Sequence, residues 1–323
     1  MKKRIIILSS VVLVVIGLWS AAWVTLAGLV KQTIAAQATA DGVTEPQLIC
    51  AQLTVEGFPF RFDAECAGAT IVTGDIMLEL PAIRASVLVY APTHVIASAH
   101  APLQLTDSFT GTRNTLAWTD LSSSIRLNDW RIARASVVGS DLVWTDALFG
   151  DALIASAPSA ELHLMDIPEQ HDSGQHTAAL AGYLRAKEIA WPGFTLTDAA
   201  TELQLELTGL PDDVRNWGDP QLLPRIQQAG GNLKIVSIYA SDDNAVLSAQ
   251  GNLGLDPAGL LDGQIAITST GVAERLGALL AEPWRTLMLG APRDDGSYSN
   301  QLGFKGGAVF SGVVPVASVP PLF

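Results

Sequence analysis

The sequence predicts a mainly β protein with a few helices, an α+β chain built on antiparallel sheet and headed by one N-terminal transmembrane helix. Three observations carry that prediction. Residues Ile5 to Val30 run without a charge. Beyond them, apolar and polar residues alternate with period two over most of the chain, the pattern of strands with one buried face. Pro, Gly, Asp and Ser interrupt these runs at short intervals, as the turns between antiparallel strands require.

The first element is the helix. Only the weakly polar Ser9, Ser10, Ser20 and Thr25 interrupt its apolar run. At about 1.5 Å per residue the run is roughly 39 Å long, enough to cross a hydrocarbon core of about 30 Å with some tilt. Trp19 and Trp23 fall in its second half, where one end can meet the membrane interface. A cleaved secretory signal is the rival reading, and Ala36-Gln37-Ala38 offers an A-x-A site. The apolar core of a signal, however, is about 7 to 15 residues. Lys2, Lys3 and Arg4 precede the span and only Lys31 follows it directly, which predicts a cytoplasmic N-terminus. The chain then divides into an anchor, 1–31, and a β-rich domain, 32–323, on the far side of the membrane.

Charge agrees with that placement. The formal net charge is −13, and setting aside the four cations Lys2, Lys3, Arg4 and Lys31 leaves −17 on the remainder (−13 − 4). Such a surface repels phosphate backbones, so nucleic acid is not an expected partner. Only 16% of residues are charged, which is low for a soluble domain.

The first strands form a hairpin. Leu48 to Val55 and Phe60 to Cys66 alternate on either side of Gly57-Phe58-Pro59, whose glycine and proline supply the turn. If Glu56 pairs with Phe60, partners sum to 116, and Cys50 lies opposite Cys66. These are the only two cysteines of the chain. Directly opposed Cβ atoms are about 4.5–5.5 Å apart, which modest adjustment brings within disulfide reach. Two unrelated buried thiols are the alternative. A disulfide persists outside the cytosol, which matches the orientation set by the basic residues. Phe58, Phe60, Arg61 and Phe62 form a candidate binding element, since aromatics and arginine dominate interaction hot spots. Alternating aromatics on a strand are more often core.

Strand signals follow at Ile76–Leu80, Ala85–Tyr90, Ser124–Leu127, Ser136–Trp144 and Glu161–Met165, then from Ile189 through Trp191-Pro192-Gly193 to Leu203–Leu207. Small residues are frequent on them, suiting a sheet surface that something approaches closely. The polar run 168–177 is a candidate linker or long surface loop. A proline-interrupted helical segment spans Pro220 to Gln228 and ends at Gly230-Gly231. The clearest meander is Leu233–Ser241, Ala245–Leu255 and Gln264–Thr270. A helix is expected from Val272 to Glu282, stopped by Pro283. Asn300–Phe310 reads as a last strand, followed by a tail whose Pro315, Pro320 and Pro321 donate no ladder bonds.

No nucleophile elbow, phosphate-binding loop, dinucleotide fingerprint or C-x-x-C is present. His171 and His176, with Glu169 and Asp172, are the one grouping that resembles metal ligands, but their spacing matches no zinc pattern. The pairs Asp212-Asp213, Asp242-Asp243 and Asp294-Asp295 flank turn residues, where aspartate ordinarily caps backbone amides. No catalytic, cofactor-binding or metal-binding residue is assigned, and no enzyme activity is expected.

Several features together resemble a known family. They are the N-terminal anchor, the Cys-bracketed Gly57-Phe58-Pro59-Phe60-Arg61-Phe62 hairpin, the phrase from Gly251-Asn252-Leu253-Gly254-Leu255-Asp256 to Gly263, and the terminal Val313-Val314-Pro315 to Pro320-Pro321-Leu322. Their order resembles the uncharacterised alphaproteobacterial family catalogued as domain of unknown function 2125, over essentially the full chain. The resemblance implies a bacterial inner-membrane protein, single-pass, with the bulk of the chain in the periplasm. A looser structural analogy places it near the AsmA-like envelope proteins, whose curved antiparallel sheets offer apolar grooves to lipid. The family brings no catalytic residues.

Two function classes follow. One is a binding or transfer module that handles lipid or another apolar ligand in the cell envelope, recognising tails because an acidic surface gains nothing from anionic headgroups. The alternative is a structural or assembly protein that docks an envelope protein through a sheet edge or the proline-rich tail. An open apolar groove favours the first and a solid core counts against it.

Overall fold

The computed structural model describes residues 2–37, 47–148, 150–276 and 284–323. Helix α1 (Lys2–Gln37) is apolar and long enough to cross a membrane. One face of it carries Ser20, Trp23, Val30 and Ile34, partly shielded from solvent, and Ala27, buried, at spacings of three and four that place them on one stripe. Residues before Trp19 are bare on every side.

The rest is antiparallel sheet with short helices. The chain forms two compact units, the first comprising 1–124 and 143–152, the second 125–142 and 153–323. In the first unit, β1 (Gln47–Glu56) pairs with β2 (Arg61–Thr73), and β2 with β3 (Ile76–Leu88). Strand β3 then pairs with both β4 (Ala91–His100) and β5 (Leu103–Asp107), and β5 with β6 (Arg113–Ala117).

Two strands expected at Ile76–Leu80 and Ala85–Tyr90 are a single one, because Pro81 does not interrupt β3. It sits where β3 changes partner, between Glu79, which faces Gln104 of β5, and Ala82, which faces His100 of β4. A missing N–H costs least at such a gap in the ladder.

Strands β7 (Asp120–Asn128) and β8 (Arg131–Asp146) each contribute to both units along their length. The second unit is a meander: β9 (Ala152–Asp166), β10 (Thr177–Trp191), β11 (Leu196–Pro211), β12 (Asn232–Ser241), β13 (Val246–Leu255), β14 (Leu261–Thr270), β15 (Tyr298–Lys305), β16 (Ala308–Ser311) and β17 (Val314–Ser318). Each pairs with the next.

The segment 168–177 lies inside this unit as a 3₁₀ turn, Pro168–Gln170, and a bridge between Asp172 and Thr177. The last strand signal resolves into two strands around Gly306-Gly307, and the proline-bearing tail joins the sheet as β17 with a register shift beside Pro315. Of the helix expected over 272–282, α3 (Val272–Leu276) is described, and residues 277–283 lie outside the described residues. Helices α2 (Leu222–Gln228) and α4 (Trp284–Leu289) complete the unit.

Packing is modest for the sheet area. Leu180, Leu210 and Ile226 form one buried cluster beneath α2, and Leu302, Val309 and Val316 form another. Among the described residues no large side chain is completely buried.

Candidate functional site

Four strand ends of the second unit and the first turn of α3 line an open apolar cavity of about 480 Å³, within the usual range for ligand pockets, about 300–1,000 Å³. Its floor follows from the ladder register. Thr201 faces Ala240, which faces Leu247, and cross-strand partners present their side chains on the same face. Two of these three are small, so the sheet surface is recessed. One wall comes from β10 and β11, where Ile189 faces Ala199 and Trp191 faces Leu196 across register shifts. Their connection is a 3₁₀ turn, Pro192–Phe194, which brings the Phe194 ring edge-on to Trp191 at 4.9 Å. Val272 and Arg275 of α3 complete the lining.

The rim carries one ion pair. Asp242, its side chain only 2% exposed, engages Arg275. Its other oxygen accepts hydrogen bonds from the backbone amides of Asn244 (2.9 Å) and Ala245 (2.8 Å). Burial pushes the Asp242 carboxyl up, but these amides and the Arg275 guanidinium outweigh burial and hold it below the usual carboxylate range. Arg275 also donates to the Thr195 carbonyl at 2.9 Å, tying α3 to the aromatic turn. Gly271, at φ +72°, begins this helix where an added Cβ would strike the Asn244 carbonyl oxygen. The pair is neutral as a whole, so the cavity presents apolar surface and no uncompensated charge at this rim.

The residues singled out from sequence lie elsewhere. Cys50 and Cys66 are joined by a disulfide with Cα atoms 5.2 Å apart. The expected register is corrected, because partners sum to 119: Cys50 faces Ala69 and Leu53 faces Cys66. The difference arises at the turn, where Arg61 N–H donates to the Gly57 carbonyl at 3.0 Å and Glu56 pairs with Asp63. Gly57, at φ +102°, is required there, since a Cβ would press on the Arg61 carbonyl.

Phe60 consequently belongs to the turn and not to a strand. Phe58 and Phe60 are 52% and 60% exposed, so they are not core. Their rings meet α1. Trp23 stacks on Phe62 at 5.4 Å and meets Phe58 edge-on at 5.6 Å, while Trp19 lies 6.4 Å from Phe60. The indole N–H groups of Trp19 and Trp23 donate to the Pro59 and Arg61 carbonyls at 3.0 and 3.1 Å. Arg61 pairs with Asp63 at 2.6 Å.

The histidine and carboxylate grouping is dispersed among separate partners. His171 bonds Asp166 at 2.6 Å, Asp172 accepts from the amides of Gly174 and Gln175, and His176 points to Asp212 at 3.7 Å. Among the described residues no three candidate ligands converge. Asp213, Asp242 and Asp295 cap turn amides, the role their sequence context indicates.

Sequence reasoning missed the cavity residues. A signal exists in the Trp191-Pro192-Gly193-Phe194 turn and in the small residues Ala199, Ala200, Ala240 and Ala245, but nothing in one strand announces that four strand ends share a face. Compared with known proteins, the chain matches over residues 23–320 a family described as "Uncharacterized protein conserved in bacteria (DUF2125)". No curated protein and no solved structure matches it.

Proposed function

The chain belongs to this uncharacterised bacterial family, and from that premise we propose that it is a membrane-anchored periplasmic protein that binds an acyl chain, or a similarly apolar ligand, in the cavity beneath α3. The observation that carries the reading is the cavity wall itself: Ile189, Trp191, Phe194, Leu196, Leu247 and Val272 around small residues, with the charges of Asp242 and Arg275 paired with each other at the rim. Burying apolar ligand surface there is favourable at about 25 cal/mol per Å². Helix α1 supports the anchor by its length and composition. The disulfide supports an oxidising compartment.

Docking of a protein through the C-terminal tail finds less support. The tail is bound back on its own chain, with Val319 N–H donating to Gly307 and Leu322 N–H to Gly259.

The test is mass spectrometry of full-length protein extracted from membranes in mild detergent. A bound lipid is expected in the wild type. Ala240→Trp, which fills the recessed floor, is expected to weaken binding about tenfold, roughly 1.4 kcal/mol, without loss of folded protein. Extraction with no apolar ligand, together with one stoichiometric protein partner, overturns the reading.

A further inference from the structure

We infer that two neighbouring turns of the first unit, Gly57–Arg61 and Val89–Tyr90, insert into the outer face of the bilayer that α1 crosses. The inference rests on the anchor reading and is independent of the cavity. It follows from a length mismatch. Lys2, Lys3 and Arg4 mark the inner limit of the span, and the helix is bare from Ile5 to Leu18 before Trp19 meets the β1–β2 turn. Those fourteen residues rise about 21 Å, whereas the hydrocarbon core is about 30 Å thick. The missing ~9 Å must be supplied by helix that already has protein beside it, so the turn packed on Trp19 and Trp23 lies within the membrane interface.

The chemistry of the turns fits that depth. Phe58 and Phe60 project from the first turn. The second, held to it by the Val89 N–H bond to the Phe60 carbonyl at 2.9 Å, adds Tyr90, which is 75% exposed. Non-helical backbone near hydrocarbon needs its polar groups satisfied within the protein. Here the carbonyls of Gly57, Pro59, Phe60 and Arg61 accept from Arg61 N–H, the Trp19 indole, Val89 N–H and the Trp23 indole respectively. Arg61, half exposed and already paired with Asp63, suits the headgroup level and not the hydrocarbon. Interfacial elements of this kind bury apolar groups about 5–10 Å deep, which matches the mismatch. The partner is the lipid surface, and the aromatic residues of helix and turns form one belt.

The opposite end of the same sheet supplies a control. Phe109 is 85% exposed, on the β5–β6 turn that bonds to Asp75 at the far end of β3, roughly 40 Å along that strand from Tyr90. Full-length protein carrying the photoreactive residue p-benzoylphenylalanine at Phe60, Tyr90, Phe109 or Leu13 would be placed in vesicles of phosphatidylethanolamine and phosphatidylglycerol, irradiated and analysed by mass spectrometry. Lipid adducts are expected at Phe60, Tyr90 and Leu13, and none at Phe109. Adducts at Leu13 with none at Phe60 or Tyr90 overturn the insertion while leaving the anchor and the cavity standing. Adducts at none of the four overturn it together with the anchor.

Discussion

At the residue scale, the buried Asp242–Arg275 pair does two things that turn-capping alone does not. It closes the β12–β13 turn and it fixes α3 over the cavity. Removing one partner of a buried pair leaves the other uncompensated and typically costs about 3 kcal/mol or more. Asp242→Asn should therefore destabilise the protein by about that amount near pH 7, as read from urea unfolding in detergent. The pH dependence has a definite sign. Because the carboxyl is held below its ordinary value in the folded protein, its stabilisation is complete above the unfolded value of about 3.9 and fades as pH falls through the folded one. The gap between wild type and variant should close in acid. A gap that is constant with pH would contradict the charge pairing. Asp243, next in sequence, is exposed, so the two members of an apparently equivalent acidic pair have different roles.

At the element scale, the hairpin and the helix form one assembly. The disulfide closes a separation of 16 residues, which in the chain-entropy model stabilises by about 3 kcal/mol. Reduction, or Cys50→Ala with Cys66→Ala, should cost about that much in urea unfolding. Non-reducing peptide mapping should find the two cysteines joined. Free thiols in protein taken from native membranes would remove both the bridge and the argument for compartment. The existence of two paired strands and a linked cysteine pair was legible from alternation and from the cysteine count. The register was not. It depends on the Arg61–Gly57 bond within the turn and on Phe60 leaving the strand to meet Trp19, a contact across about forty residues. For the same reason the aromatics at 58, 60 and 62 look like core on a strand, yet two of them are exposed beside a helix.

At the scale of the whole molecule, the chain comprises one apolar N-terminal helix and two units of sheet. Three cations before the span and an acidic remainder support the proposed topology, with the N-terminus on the cytoplasmic side. Protease added to cells with a permeabilised outer membrane should digest a C-terminal tag and leave the first residues protected. Protection of the tag would reverse the topology. Among the described residues of the second unit the buried clusters are small, so sheet surface near the strand ends is left for a cavity instead of a core. That outcome agrees with a chain of low charge and frequent small residues, because small residues on a pleated face leave room that something else must fill.

The sequence by itself determined the secondary-structure class, the helix that can span a bilayer, the family, and most strands of the second unit. These depend on periodicity, length and composition, which are properties of neighbouring residues. Only the tertiary structure decided that Pro81 lies inside a strand, that β1 and β2 are offset by three positions from the simplest pairing, and that four strand ends and α3 surround an apolar cavity. It also decided that Trp19 and Trp23 pack against the aromatic turn between β1 and β2. Each of these is a relation between segments that meet in the fold, set by which surfaces come together and which backbone groups find partners, and alternation and composition alone do not encode it.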